Sequence, residues 1–402
     1  QMNQETPVLL LTGYLGSGKT TLVNRILSNR RGIKFAVIVN DIGEVNIDAD
    51  LIQKGGVVNQ EDDSLVALQN GCICCTLKMD LVKQLCDLIS QQCFDYIVIE
   101  ASGICEPEPI AQTICSIPQM PAAYTKNGTP RLDCIVTVVD ALRLQSEFAC
   151  GDSLVKENIA DDDLESLVIQ QIEFCNVILL NKASEVSPTE LGRIKEIIRA
   201  LQPSADIIEC DYGDVDFDQI LHTELFDFDE VAGSAGWIRG VEDRMIDDDD
   251  DDDDAHEHEH HDHDHHHHHD HEHEGGEVEE YGIGTFVYYR RKPFDLGRFD
   301  EFVARKMPKN VIRVKGICYF SCEMDTCYIF EQAGRQIQLR DAGMWYATMP
   351  PDELAEMMAR DAGLRRDWDD SYGDRMQKLV FIGQHLDSEA LAKVLDECLV
   401  DY

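Results

Sequence analysis

At 402 residues the chain is too long for one compact core, so two domains are expected. Its net charge of −42 repels phosphate backbones and argues against nucleic acid as a partner. No signal-peptide pattern precedes the first apolar run, and no run approaches the ~20 residues of a membrane span. A cytoplasmic protein without membrane partners is expected. Fifteen cysteines in such a chain speak against a disulfide framework. Most, such as Cys86, Cys115, Cys134, Cys175 and Cys398, stand singly in apolar patterns and read as small core residues.

Residues 7–27, PVLLLTGYLGSGKTTLVNRIL, read as an apolar strand, a glycine-rich turn and an amphipathic helix. The turn fits G-x-x-x-x-G-K-[ST], with Gly13, Gly16, Ser17 and Gly18 leading into Lys19, Thr20 and Thr21. Glycines there let backbone N–H groups curl round a phosphate chain at a helix N-terminus. Lys19 is expected to reach the β- and γ-phosphates, and Thr20 to ligate Mg²⁺. A glycine-rich turn that holds no phosphate needs neither flank, and both flanks are present.

Residues 34–41 are a second apolar strand ending in Asp41, followed by a loop containing Glu44. The segment from Asn70 puts Cys72, Cys74 and Cys75 just before a helix with apolar residues at three and four. Three thiols within four residues suit a soft or borderline ion such as Zn²⁺, Co²⁺ or Cu⁺, with Glu44 or Asp41 able to approach it. A redox-active vicinal pair and structural cysteines are the alternatives. The strand at 94–103 ends in Glu100, where a carboxylate supporting Mg²⁺ belongs, and Gly103 could sense the γ-phosphate.

Two further strands, 131–142 and 176–184, end in polar residues, and a helix follows at 188–201. Asp140 lines the nucleotide site or caps a helix; both readings stay open. Asn181-Lys182 resembles the Asn-Lys-x-Asp guanine box, in which Asn contacts the base edge and Asp pairs with guanine N1 and N2. Here Ser184 holds the Asp position, and Glu185 is the nearest substitute carboxylate. A hydroxyl offers neither the charge nor the bidentate geometry of a carboxylate, so a reduced GTP preference is expected. Strands alternating with helices predict an α/β fold, a P-loop NTPase with a mostly parallel sheet and helices on both faces.

That pattern stops near Val231. Between Glu242 and Glu280 the charge is −19, including eight consecutive aspartates, which leaves −23 on the rest. Twelve of the fourteen histidines lie in 256–273, among them His256, His258, His260, His261 and His263. Such a segment cannot bury apolar surface, and 232–280 is expected to be a disordered linker. It reads as a low-affinity buffer for several ions or as a solvated linker with incidental metal affinity. From 281 the chain resumes with strands at 281–294, 311–321, 327–332, 336–339 and 377–383. Helices are expected at 294–307 and 388–400, and together these predict a small α+β domain. Cys318, Cys322 and Cys327 could meet round a hairpin, but their spacing favours core packing.

In order, TGYLGSGKTTLVN, VIVNDIGEVNID, NGCICCTL, IEASG, VVDA and LLNK resemble the CobW family of P-loop GTPases. IRVKGICYF and KLVFIGQ resemble that family's C-terminal domain, so the likeness spans nearly the whole chain. Departures are Asp41, where the family usually has Glu, and Ser184. The resemblance implies a domain at 6–231, the linker at 232–280 and a C-terminal domain at 281–402. It also implies a metallochaperone that hydrolyses GTP to GDP and phosphate and delivers a transition metal to a client metalloprotein or cofactor pathway. Zinc is the first candidate for the metal and cobalt the next. Its metal cysteines map onto Cys72, Cys74 and Cys75, and its nucleotide residues onto Gly16, Gly18, Lys19, Thr20, Glu100, Asn181 and Lys182. The alternatives are a metal-storage protein with little nucleotide turnover and a P-loop kinase. Oligomeric state, a homodimer included, stays open.

Overall fold

The computed structural model describes residues 4–28, 32–39, 65–69, 78–148, 162–238 and 280–401. They form two compact units, the first ending at Gly236 and the second beginning at Trp237. Asp41, Glu44, Cys72, Cys74, Cys75 and the His tract lie outside the described residues.

The first unit is built on β1 (Glu5–Thr12), α1 (Lys19–Leu27), β2 (Phe35–Val39), β3 (Leu65–Gln69), α2 (Lys78–Ser90), β4 (Tyr96–Glu100) and α3 (Pro107–Ser116). It continues with β5 (Thr129–Asp140), α4 (Ala141–Glu147), α5 (Asp162–Glu173), β6 (Val177–Asn181), α6 (Pro188–Leu201), β7 (Asp206–Glu209) and α7 (Phe228–Ala232). The strands run β3-β2-β4-β1-β5-β6-β7, and every pairing is parallel. Such a sheet is covered on both faces, which explains the continuous apolar runs. Alternate residues (Leu9, Leu11, Val37, Val98, Val136 and Leu179) pack on one face with Leu22, Val23 and Ile26 of α1. Their neighbours Leu10, Ile97, Ile99 and Ile135 are equally buried on the other.

The topology delivers the site. β4 slots between β1 and β2, so Leu11 pairs with Glu100 and brings that carboxylate beside the turn leaving β1. On the other side, Asp140 of β5 pairs with Asn181 of β6. The five strands expected from sequence in this unit correspond to β1, β2, β4, β5 and β6, and β3 and β7 add two short edges.

The second unit contains β8 (Ile283–Arg290), α8 (Leu296–Glu301), β9 (Val311–Phe320), β10 (Glu323–Ala333), β11 (Gln336–Met344), α9 (Pro351–Arg360), α10 (Ala362–Arg366), β12 (Gln377–Gln384) and α11 (Ser388–Asp396). Its sheet, ordered β11-β10-β9-β12-β8, is antiparallel throughout. Phe294, Phe299, Phe302, Phe320, Phe330 and Phe381 fill its core with Leu391 and Leu395 of α11. The helix expected at 294–307 is shorter, because α8 passes into a π-helical turn at Phe302–Lys306. That turn keeps both Phe299 and Phe302 buried. β10 and β11 are longer than the apolar runs suggested, because β11 is an exposed edge whose outer half, Arg340–Gly343, is polar.

Candidate nucleotide site

The P-loop turns as its glycines require. Gly13, Gly16 and Gly18 have φ of 144°, 76° and 111°, the left-handed region that L side chains rarely adopt. A Cβ on Gly18 would lie 2.3 Å from Asn181 Nδ2, and one on Gly13 would lie 2.4 Å from the Val138 carbonyl oxygen. Lys19 is buried and donates to the Gly13 and Tyr14 carbonyl oxygens, the latter at 3.3 Å. The Ser17 hydroxyl is buried and has no hydrogen-bond partner among the described residues. A curled backbone, a cation and an unsatisfied hydroxyl at a helix N-terminus make a cradle whose donors fit a polyphosphate.

Thr20 Oγ1 donates to Glu100 Oε1 at 3.1 Å, and Glu100 is 1% exposed. Past Glu100, a Cβ on Gly103 would lie 2.7 Å from the Leu15 nitrogen, so the loop after β4 rests on the P-loop backbone. Gln171 of α5 holds that loop. Its buried amide donates to the carbonyls of Gly103 at 3.2 Å and Cys105 at 3.3 Å. Sequence reading missed Gln171, because a glutamine in a helical pattern carries no motif. Cys105 is buried and disulfide-bonded.

On the other flank, Asn181 is bonded to the backbone around the P-loop. Its Nδ2 donates to the Ser17 carbonyl at 2.9 Å, and its Oδ1 accepts from Gly213 N at 3.3 Å and Cys210 Sγ at 3.6 Å. Through these bonds Asn181 ties the P-loop to the loop after β7. Burial pushes the Cys210 thiol up to about 11, so it donates here as a neutral S–H. Lys182 donates to Asp140 Oδ2 at 2.7 Å, and this bond raises its pKa. Asp140 Oδ1 also accepts from Arg143 N at the start of α4, so Asp140 caps a helix, as one of its two readings expected. Ser184 sits at the expected place, and its N and Oγ both donate to Asp211 Oδ1.

Among the described residues no group of three or more His, Cys, Asp or Glu side chains is gathered to hold an ion. Cys318 is buried and Cys327 is half-buried with its thiol pushed up by burial to about 12, as core packing predicts, whereas Cys322 is exposed and departs from that expectation. Cys134, Cys175 and Cys398 are buried, whereas Cys86 and Cys115 are only partly so. No helix among the described residues is long and apolar enough to cross a membrane.

A parallel sheet with a P-loop after its central strand, an acid on the adjoining strand and an Asn-Lys box define a P-loop GTPase. The CobW/HypB/UreG nucleotide-binding domain matches residues 7–209, and the cobalamin synthesis protein cobW C-terminal domain matches 283–399. The chain belongs to the CobW family. It is 33% identical over 412 residues to the zinc-regulated GTPase metalloprotein activator 1 of Dictyostelium discoideum, covering 99% of this chain and 80% of that protein. It is 35% identical to the like-named protein of Schizosaccharomyces pombe, over 52% of this chain and 47% of the relative. A zinc chaperone CobW of Pseudomonas aeruginosa is 31% identical over 52% of this chain and 57% of its own length.

Proposed function

We propose that the chain is a GTP-dependent metallochaperone that delivers zinc to a client metalloprotein. The observation that carries the hydrolytic half is the convergence of Lys19, Thr20 and Glu100 at the carboxyl edge of β1 and β4. Thr20 and Glu100 offer hard oxygens 3.1 Å apart, a donor set that fits Mg²⁺. The ion, when bound, neutralises charge on the β- and γ-phosphate oxygens. Lys19 exchanges its two carbonyl contacts for phosphate oxygens, and the 16–18 backbone orients the chain of phosphates. Gly103, packed on Leu15, is the proposed sensor of the γ-phosphate, supported by that contact with the P-loop backbone.

The metal half rests on sequence and on the relatives' names. Cys72, Cys74 and Cys75, with Glu44, are the proposed hold on the cargo, and the His tract at 256–273 is the proposed low-affinity reservoir. Three thiolates would accept cobalt as well, which makes it the competing cargo. GTP binding tightens the cargo site, and hydrolysis loosens it for transfer. The test is phosphate release with and without zinc, for the native protein and Cys74→Ala. Zinc is expected to change the native rate several-fold and leave the variant's unchanged. A rate indifferent to zinc in both would overturn the link to metal, and no phosphate release under any zinc condition would reduce the protein to a metal store with incidental nucleotide binding.

A further inference from the structure

The guanine box of this chain lacks its aspartate, yet the residue at that position is hydrogen-bonded to a carboxylate. Ser184 gives both of its donors to one oxygen of Asp211, N at 3.2 Å and Oγ at 2.8 Å. Asp211 is placed by the ends of two paired strands. Leu180 pairs with Glu209, Cys210 N donates to the Leu180 carbonyl at 3.0 Å, and Ala183 N donates to the Cys210 carbonyl at 3.2 Å. Asn181 Oδ1 clamps the same loop through Cys210 and Gly213, and its Nδ2 clamps the P-loop. Asn181, Ser184, Asp211 and the phosphate cradle therefore form one hydrogen-bonded unit.

We infer that Asp211, rather than residue 184 or Glu185, is the carboxylate that reads the guanine base. The inference rests on the GTPase reading and adds its specificity-determining residue. Guanine presents two adjacent donors, N1–H and N2–H, whereas adenine presents an acceptor at N1. A carboxylate is acceptor-only, so it matches the first and repels the second. Asp211 Oδ2 has no hydrogen bond among the described residues, while Oδ1 is held in place by Ser184. The serine thus positions the acid in place of supplying it. Lys182 is drawn onto Asp140 and so does not neutralise Asp211.

The experiment is competition binding of GTP, ATP and xanthosine triphosphate to the full chain, to Asp211→Asn and to the exchange variant Ser184→Asp/Asp211→Ser. The native protein is expected to prefer GTP to ATP. Asp211→Asn should lose about ten- to a hundredfold in GTP affinity, the discrimination of a bidentate pair, with ATP unchanged. It should also gain affinity for xanthosine triphosphate, whose 2-oxo group accepts from the new amide. Unchanged ATP affinity shows that the phosphate cradle is intact, and the exchange variant should recover GTP preference. A native protein indifferent between GTP and ATP would overturn both this inference and the guanine reading. A native preference that survives Asp211→Asn would overturn this inference alone.

Discussion

At the scale of single residues, the site depends on positions where a methyl group has no room. Gly18 has φ 111°, and its Cβ would lie 2.3 Å from Asn181 Nδ2, so Gly18→Ala must either strain the turn or push Asn181 off the Ser17 carbonyl. Both outcomes open the phosphate cradle without disturbing the strand cores. Nucleotide affinity, read with a fluorescent GTP analogue, should fall at least about a hundredfold, since cradle donors contribute several kcal/mol together. The melting midpoint without nucleotide should move little; a large drop would show that Gly18 serves folding instead. Gly18, Lys19, Thr20 and Glu100 were legible in the sequence because each sits at a fixed offset from a strand or a motif. Gln171 and Asp211 were not, because each acts through a contact made only by the folded sheet: Gln171 lies 68 residues from Gly103, and Asp211 lies 27 from Ser184.

Among the elements, apolar periodicity identified the buried parallel strands, while the short edges β3 and β7 and the polar outer half of β11 escaped it. The same blindness covers the ion cluster between β9 and β10. Arg313, whose side chain is 1% exposed, meets Glu331 at 2.8 Å, and Lys315 approaches the same oxygen at 3.7 Å. Burial pushes the Glu331 carboxyl up, but Arg313 and Lys315 overcome that and hold it below its ordinary value. A carboxylate with a lowered folded pKa adds stability above its unfolded pKa of about 4.3 and loses it as pH falls through the folded value. Glu331→Gln should therefore destabilise the second unit by about 3–5 kcal/mol at neutral pH, the range for removing one partner of a buried ion pair. Denaturant melts at descending pH should show the gap between native and variant closing below about pH 4. A gap independent of pH would mean that the variant acts through packing alone.

At the scale of the whole molecule, the proposed metal switch and the proposed metal reservoir on one chain would obscure each other. Twelve histidines in 256–273 would take up zinc in any titration and mask the ion proposed for Cys72, Cys74 and Cys75. Deleting 256–273 should lower zinc stoichiometry while leaving GTP turnover as it was, because neither Lys19, Thr20 nor Glu100 depends on that tract. On the shortened protein the coupling itself becomes measurable. If GTP tightens zinc by some factor, zinc must tighten GTP by the same factor, and couplings of this kind run from about 5- to 150-fold. Zinc titrations of the apo, GDP-bound and non-hydrolysable-GTP-bound forms, matched by nucleotide titrations with and without zinc, give the factor twice. Two equal values above unity would establish the P-loop as the element that times metal release. Equal zinc affinity in all three states would refute the coupling, because a nucleotide that binds every metal state alike shifts none of them.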